Sequence, residues 1–255
     1  MSEVARNAAL NELSRRVILP YVVMGVILIG LGLLIRYSPL PEITNEDDNE
    51  EAALETSEKK RIFKYPHLIL GVIAIFLHIG AQVLSIDTII SYANSMNIGL
   101  LEAKVFPSYT LFTMVIGYII GIVCIPRFIS QLRGLQISVV LGLVLTFLII
   151  YAQKQVTFLH HTADMSIWFI VLLGLPNSLI WGGIWPLALS GLGRLTKLGA
   201  ALLIMGLTAN ALMPLLYGFL ADVYNPHDAY WLLLPCFLFL VYYAFYGYRV
   251  KKWSL

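Results

Sequence analysis

Five side chains able to hydrogen-bond or stack fall inside long apolar stretches, where such groups are costly: His78, Gln82, Asn177, Trp181 and Asn210. A polar side chain facing lipid is unfavourable, so each should face a bundle interior or a water-filled cavity. On helical spacing His78, Gln82 and Ser85 share one face. Asn177, Trp181 and Trp185 recur every four residues and share another. Amides that both donate and accept, beside an indole plate, suit a molecule with many hydroxyls and an apolar C–H face. A sugar is such a molecule. A second reading stays open for each residue alone. Asn and Gln in membrane helices also tie neighbouring helices together, a histidine there is often simply packed, and Trp185 lies near a membrane boundary where indoles anchor. The co-location of these groups at one depth carries the sugar reading.

The stretches that position these residues are unmistakable. The chain has 255 residues, 59% of them hydrophobic and 13% charged, with a mean hydropathy of +0.80. Soluble domains carry about 25% charged residues. Seven apolar runs of roughly 18–22 residues match a hydrocarbon core of about 30 Å. The spans are expected at 17–35, 66–86, 105–125, 135–151, 167–189, 198–218 and 229–248. The first is too long, and lacks a small-residue cleavage site, to be a signal peptide. Between the first two spans, residues 36–64 hold eight acidic residues from Glu42 to Glu58, then Lys59, Lys60 and Arg61. This composition reads as a flexible linker. The expected organisation is therefore a tail and first helix over 1–35, an acidic linker over 36–64, and a six-helix bundle over 65–255.

Orientation follows from the flanking basic residues. Twelve Lys and Arg fall on the linker and C-terminal side against five on the other. That places the linker and C-terminus in the cytoplasm of a multi-pass membrane protein and the N-terminal tail outside, although Arg6, Arg15 and Arg16 in that tail argue against its placement.

Several features suit a moving bundle. Gly117 and Gly121 form a GxxxG that permits close helix approach. Gly182, Gly183 and Pro186 interrupt the fifth span beside the candidate site, and Pro176 and Pro214 lie near midplane. Arg194 and Lys197 belong to a basic loop on the expected cytoplasmic side. No carboxylate sits at the centre of any span. Asp87 marks the outer end of the second span, while Asp222 and Asp228 bracket an outer loop. If transport is proton-coupled, the titrating acid lies elsewhere.

The chain contains no HExxH, GxxxxGK[ST], CxxC pair or GxSxG, so enzymatic chemistry, a cofactor or nucleic-acid binding is not expected. His160-His161 could bind a metal only with further ligands, which the neighbourhood lacks. A seven-helix photoreceptor would need a buried lysine in its last span, and 229–248 has none.

The stretches LILGVIAIFLHIGAQV, PNSLIWGGIWPLALSGLGRLTKLGAALLIMGL and MPLLYGFLAD resemble the fucose permease-like sugar:proton symporters of the major facilitator superfamily, bacterial glucose/galactose transporters in particular. LPYVVMGVILIGLGLLIRYSPLPEI resembles that family's sixth helix. The resemblance implies an all-α transmembrane fold comprising helix six and a six-helix C-terminal bundle, with helices one to five missing. The N-terminal tail would then be the loop between helices five and six, which accounts for its arginines. It implies hexose transport by alternating access in a bacterial inner membrane, with the coupling acids in the absent N-terminal half. Gln82, Asn177 and Asn210 would bind hydroxyls with help from His78, and Trp181 would stack on the pyranose. Gly183, Pro186, Arg194 and Lys197 would serve gating. Many members have Tyr and Glu at the positions of His78 and Gln82. The alternative function is a non-transporting membrane sugar sensor or assembly partner.

Overall fold

The computed structural model describes residues 18, 20–34, 62, 64–125, 127–152 and 154–251. The expected linker at 36–64 lies almost wholly outside the described residues, as does most of the tail. The chain divides into two compact units, Met1–Ala53 and Leu54–Leu255. In the first unit, helix α1 runs over Pro20–Leu34, about 22 Å at the helical rise. Its apolar side chains are exposed all round, including Tyr21, Val26, Leu28 and Ile29, as in a helix surrounded by lipid.

The second unit has six helices long and apolar enough to cross a membrane. They are α2 (Pro66–Asp87), α4 (Leu100–Cys124), α5 (Gln131–Tyr151), α6 (Met165–Leu189), α7 (Gly193–Val223) and α8 (Asp228–Phe245). A short helix, α3 (Ile89–Ser95), follows α2. Local chemistry sets the starts. Pro66 opens α2, where its missing N–H costs nothing. Ser130 caps α5, its hydroxyl accepting from the Arg133 amide. That cap starts the span at Gln131, four residues before the start expected from hydropathy. In α7 the 3₁₀ segment Gly193–Leu195 extends the expected span at its beginning, and a second, Gly206–Thr208, lies within it.

The helices form two layers. α6 packs on α4, α2 and α5, while α2 packs on α6, α7 and α8, and α5 packs on α8. One layer therefore runs α4–α6–α2–α7, with α5 and α8 behind it. Burial follows this order: α6 is the most enclosed of the six, and the flanking α4 and α7 are the least. Small residues let the front layer close. A Cβ added at Gly117 would lie 2.7 Å from the Leu175 carbonyl, and one added at Gly121 would lie 2.3 Å from Leu179. The GxxxG on α4 thus forms its contact with α6.

The two ends of the bundle differ. At the C-terminal end, the His67 amide donates to Val250 O at 3.1 Å and His67 Nε2 bonds Ser190 O at 3.0 Å. The α6–α7 connection there turns through Gly191 and Gly193, both with positive φ. The opposite end carries α3 and an antiparallel hairpin, β1 (Gln155–Phe158) and β2 (His161–Asp164). This hairpin is an addition to the all-α architecture expected. Leu159 and His160 both have positive φ at its two-residue turn, the geometry that matches strand twist. His161 pairs with Glu102 and packs against Phe106 and Tyr109, which pins the hairpin onto the start of α4. Tyr92 of α3 is buried, its hydroxyl 2.7 Å from Ser166 Oγ, and burial pushes its pKa above the usual tyrosine value.

Candidate functional site

The α2–α6 contact brings together residues that the sequence places 92 positions apart. Asn177 is 1% exposed, and its Nδ2 donates to Ser85 Oγ at 3.4 Å. The Ser85 hydroxyl donates in turn to Gln82 O at 2.7 Å. Thr110 of α4 donates to Ser85 O at 3.4 Å, and Gln82 Nε2 reaches Met114 Sδ at 3.8 Å. A polar seam therefore joins α2, α4 and α6. It is mostly buried: Ser85, Thr110 and Asn177 are fully enclosed, and Gln82 is half-buried.

Two members of this region keep unused capacity. Asn177 Oδ1 has no hydrogen-bond partner among the described residues. His78, one turn before Gln82, is fully buried, and neither ring nitrogen has a partner there. An unsatisfied buried donor or acceptor costs about 1–3 kcal/mol, so these atoms carry a standing cost in this arrangement.

The remaining candidates are placed differently. Trp181, a turn beyond Asn177, is half-buried and meets Trp185 with ring centroids 5.6 Å apart. It lines a groove of about 330 Å³ between α4 and α6, with Tyr118, Gly121, Ser178 and Gly182. Asn210 on α7 is exposed, and its side chain makes no hydrogen bond among the described residues. Pro214 removes the N–H that would bond Asn210 O, so α7 offers a side-chain amide and a backbone carbonyl at one place. The structure thus links Gln82 and Asn177 through Ser85, buries His78 one turn along α2 with no bond to either, sets Trp181 in the neighbouring groove, and leaves Asn210 on an open flank.

The proposed gating residues lie toward the C-terminal end. Gly183 is buried against Leu135, Pro186 stands on an exposed side of α6, and Arg194 and Lys197 are exposed at the start of α7. No group of three His, Cys, Asp or Glu able to hold a metal occurs among the described residues; His161 is engaged with Glu102 instead.

Thr110 and Met114 were not singled out from the sequence as members of the seam. The signal is there: Thr110, Met114, Gly117 and Gly121 recur at intervals of four, three and four, one continuous stripe on α4.

No family model matches the chain. Among individual proteins, it is 25% identical over 246 residues to the glucose/galactose transporter of Brucella abortus, covering 95% of this chain and 56% of that protein. It is 22% identical over 245 residues to the putative glucose/galactose transporter of Helicobacter pylori, covering 94% and 56%. To the L-fucose-proton symporter of Haemophilus influenzae it is 23% identical over 243 residues, covering 91% and 52%. The crystal structure of the E. coli fucose:proton symporter, FucP, superposes with a TM-score of 0.77 at 21% identity, covering 100% of this chain and 60% of that one. A second crystal structure, titled as FucP, a Major Facilitator Superfamily transporter in the outward conformation, gives 0.75 at 21% identity over 100% and 59%. The chain has part of a major facilitator fold. The relatives it matches are sugar transporters, not enzymes, and it spans just over half of their length. Within this fold, the layer α4–α6–α2–α7 carries every candidate substrate-binding residue.

Proposed function

We propose that this chain is the C-terminal part of a secondary active transporter that carries a hexose across a bacterial inner membrane by alternating access, coupled to protons. The observation that carries the reading is the superposition of all described spans on a fucose:proton symporter, together with polar groups of unused capacity at mid-span. Gln82, Asn177 and Asn210 take sugar hydroxyls, His78 assists, and Trp181 offers its ring face to the pyranose. Gly183 and Pro186 let α6 flex, and Arg194 and Lys197 hold the inward gate.

Alternating access needs two bundles that rock about a midplane site. The described spans supply one full bundle, so the opposing wall comes from an N-terminal half, in the same protein or on a partner chain. The acid that carries the proton belongs to that half. Every described Asp, Glu, Lys and Arg lies near or beyond a helix end, so no mid-span carboxylate is present here to titrate.

The deciding experiment is sugar uptake by proteoliposomes holding the complete two-bundle transporter. Asn177→Ala should lower uptake of the cognate hexose at least tenfold while the amount of inserted protein stays constant. Uptake kinetics identical to the parent would overturn the assignment of Asn177. A second reading, a membrane sugar sensor or assembly partner, draws on the same seam and on the fact that one bundle alone can bind without translocating. It is favoured if the complete protein binds hexose but shows no counterflow.

A further inference from the structure

We propose that Gln131 is a positioning residue for α6: it caps the carbonyl that Pro186 leaves open and thereby holds Trp181 and the broken end of the helix in place. Proline has no N–H, so in an α-helix the carbonyl four residues earlier loses its donor. For Pro186 that carbonyl belongs to Gly182. Gln131 Nε2 donates to Gly182 O at 2.7 Å, replacing from a neighbouring helix the bond that α6 cannot make for itself. One turn further along α5, Leu135 is buried and packs where Gly183 has no side chain; a Cβ there would lie 2.8 Å from Leu135 Cβ. Residues four apart share a helix face, so the first turns of α5 grip α6 at two adjacent points, one polar and one apolar.

The grip falls where it governs the candidate site. Trp181 immediately precedes the capped carbonyl. The groove it lines is also lined by Gln131, Gly182 and Gly183, which leaves about 330 Å³ beside the joint. Release of Gly182 O lets the segment 183–189 swing against α5, and the Trp181 ring then loses its contact with Trp185 of that segment. The link to sugar handling rests on the function proposed above, but the grip itself does not.

A double-mutant cycle on the purified chain in detergent tests it, read by amide hydrogen exchange. Gln131→Leu should speed exchange of the amides at 184, 185 and 187–189 about threefold to tenfold, the loss expected for one hydrogen bond. Pro186→Ala restores a donor within the helix, so in that background Gln131→Leu should change exchange less than twofold. Equal effects in both backgrounds, or no effect in either, would overturn the proposal. Gln131→Glu keeps the length but removes the amide donor; it should behave as Gln131→Leu does and covers the case where leucine disturbs folding. Acrylamide quenching of the fluorescence lost in a Trp181→Phe control should rise with Gln131→Leu, whereas a general loosening of α5 would raise exchange in α5 without moving that signal. A failed cycle would leave the sugar reading standing, because uptake by Asn177→Ala tests that separately.

Discussion

His78 separates the demands of stability from those of function. It is fully buried with neither ring nitrogen partnered among the described residues, so in the bundle alone it is a liability of about 1–3 kcal/mol. Replacing it with leucine removes the unsatisfied groups at similar volume. His78→Leu should leave the thermal midpoint of the purified chain unchanged or raise it, while lowering hexose uptake by the complete transporter. A fall in the midpoint of several degrees would mean that the imidazole has a structural partner. Asn177 differs because one of its amide groups is already spent on Ser85. Asn177→Ala should therefore lose both a cross-helix bond, worth about 0.6–2 kcal/mol in a membrane bundle, and uptake. The two substitutions together distinguish a residue held for its ligand from one that also holds the helices.

At the level of elements, the helices were legible and their facing was not. Seven apolar runs specify seven helices because a span of about 20 residues has no other stable form in lipid. In α6, apolar residues surround the axis, so polarity turns Asn177 away from lipid but no pattern in the sequence names Ser85 as its partner. On α7, equally, nothing announces that Asn210 is exposed while Met213 and Tyr217 are buried. The hairpin escaped because its strands have four residues each and its Leu-His turn lacks the Asn-Gly or Asp-Gly signature. The GxxxG was readable because small size, unlike polarity, has one use at a helix contact. It yields a prediction with its own control. Gly117→Ala places a methyl 2.7 Å from the Leu175 carbonyl, which cannot rotate away, so it should destabilise the bundle by about 1–3 kcal/mol. Gly218→Ala meets nothing within 4 Å and should stabilise α7 by about 0.5–1 kcal/mol through propensity alone. Thermal unfolding in detergent reads both, and equal shifts would show that the α4–α6 approach is looser than drawn.

At the level of the whole molecule, the two ends of the bundle make opposite electrostatic statements. Among the described residues, Lys64, Arg127, Arg133, Arg194, Lys197, Arg249 and Lys251 lie at or near the C-terminal end, and only Lys104 and Lys154 at the hairpin end. Basic residues near short loops resist translocation, so the orientation we propose, with the C-terminal end in the cytoplasm and the hairpin outward, follows the majority of seven against two. In that proposed orientation Arg194 and Lys197 stand on the inner side, where the proposed gate needs them, and the Glu102–His161 contact stands on the outer rim. Single cysteines test it in intact cells, with Cys124 and Cys236 first replaced by serine or alanine. Thr157→Cys, exposed on β1, should react with a membrane-impermeant maleimide, while Ser190→Cys, exposed at the α6–α7 turn, should react only after the membrane is opened. The reverse result would invert the gates, and the orientation would then be set by something other than this charge asymmetry.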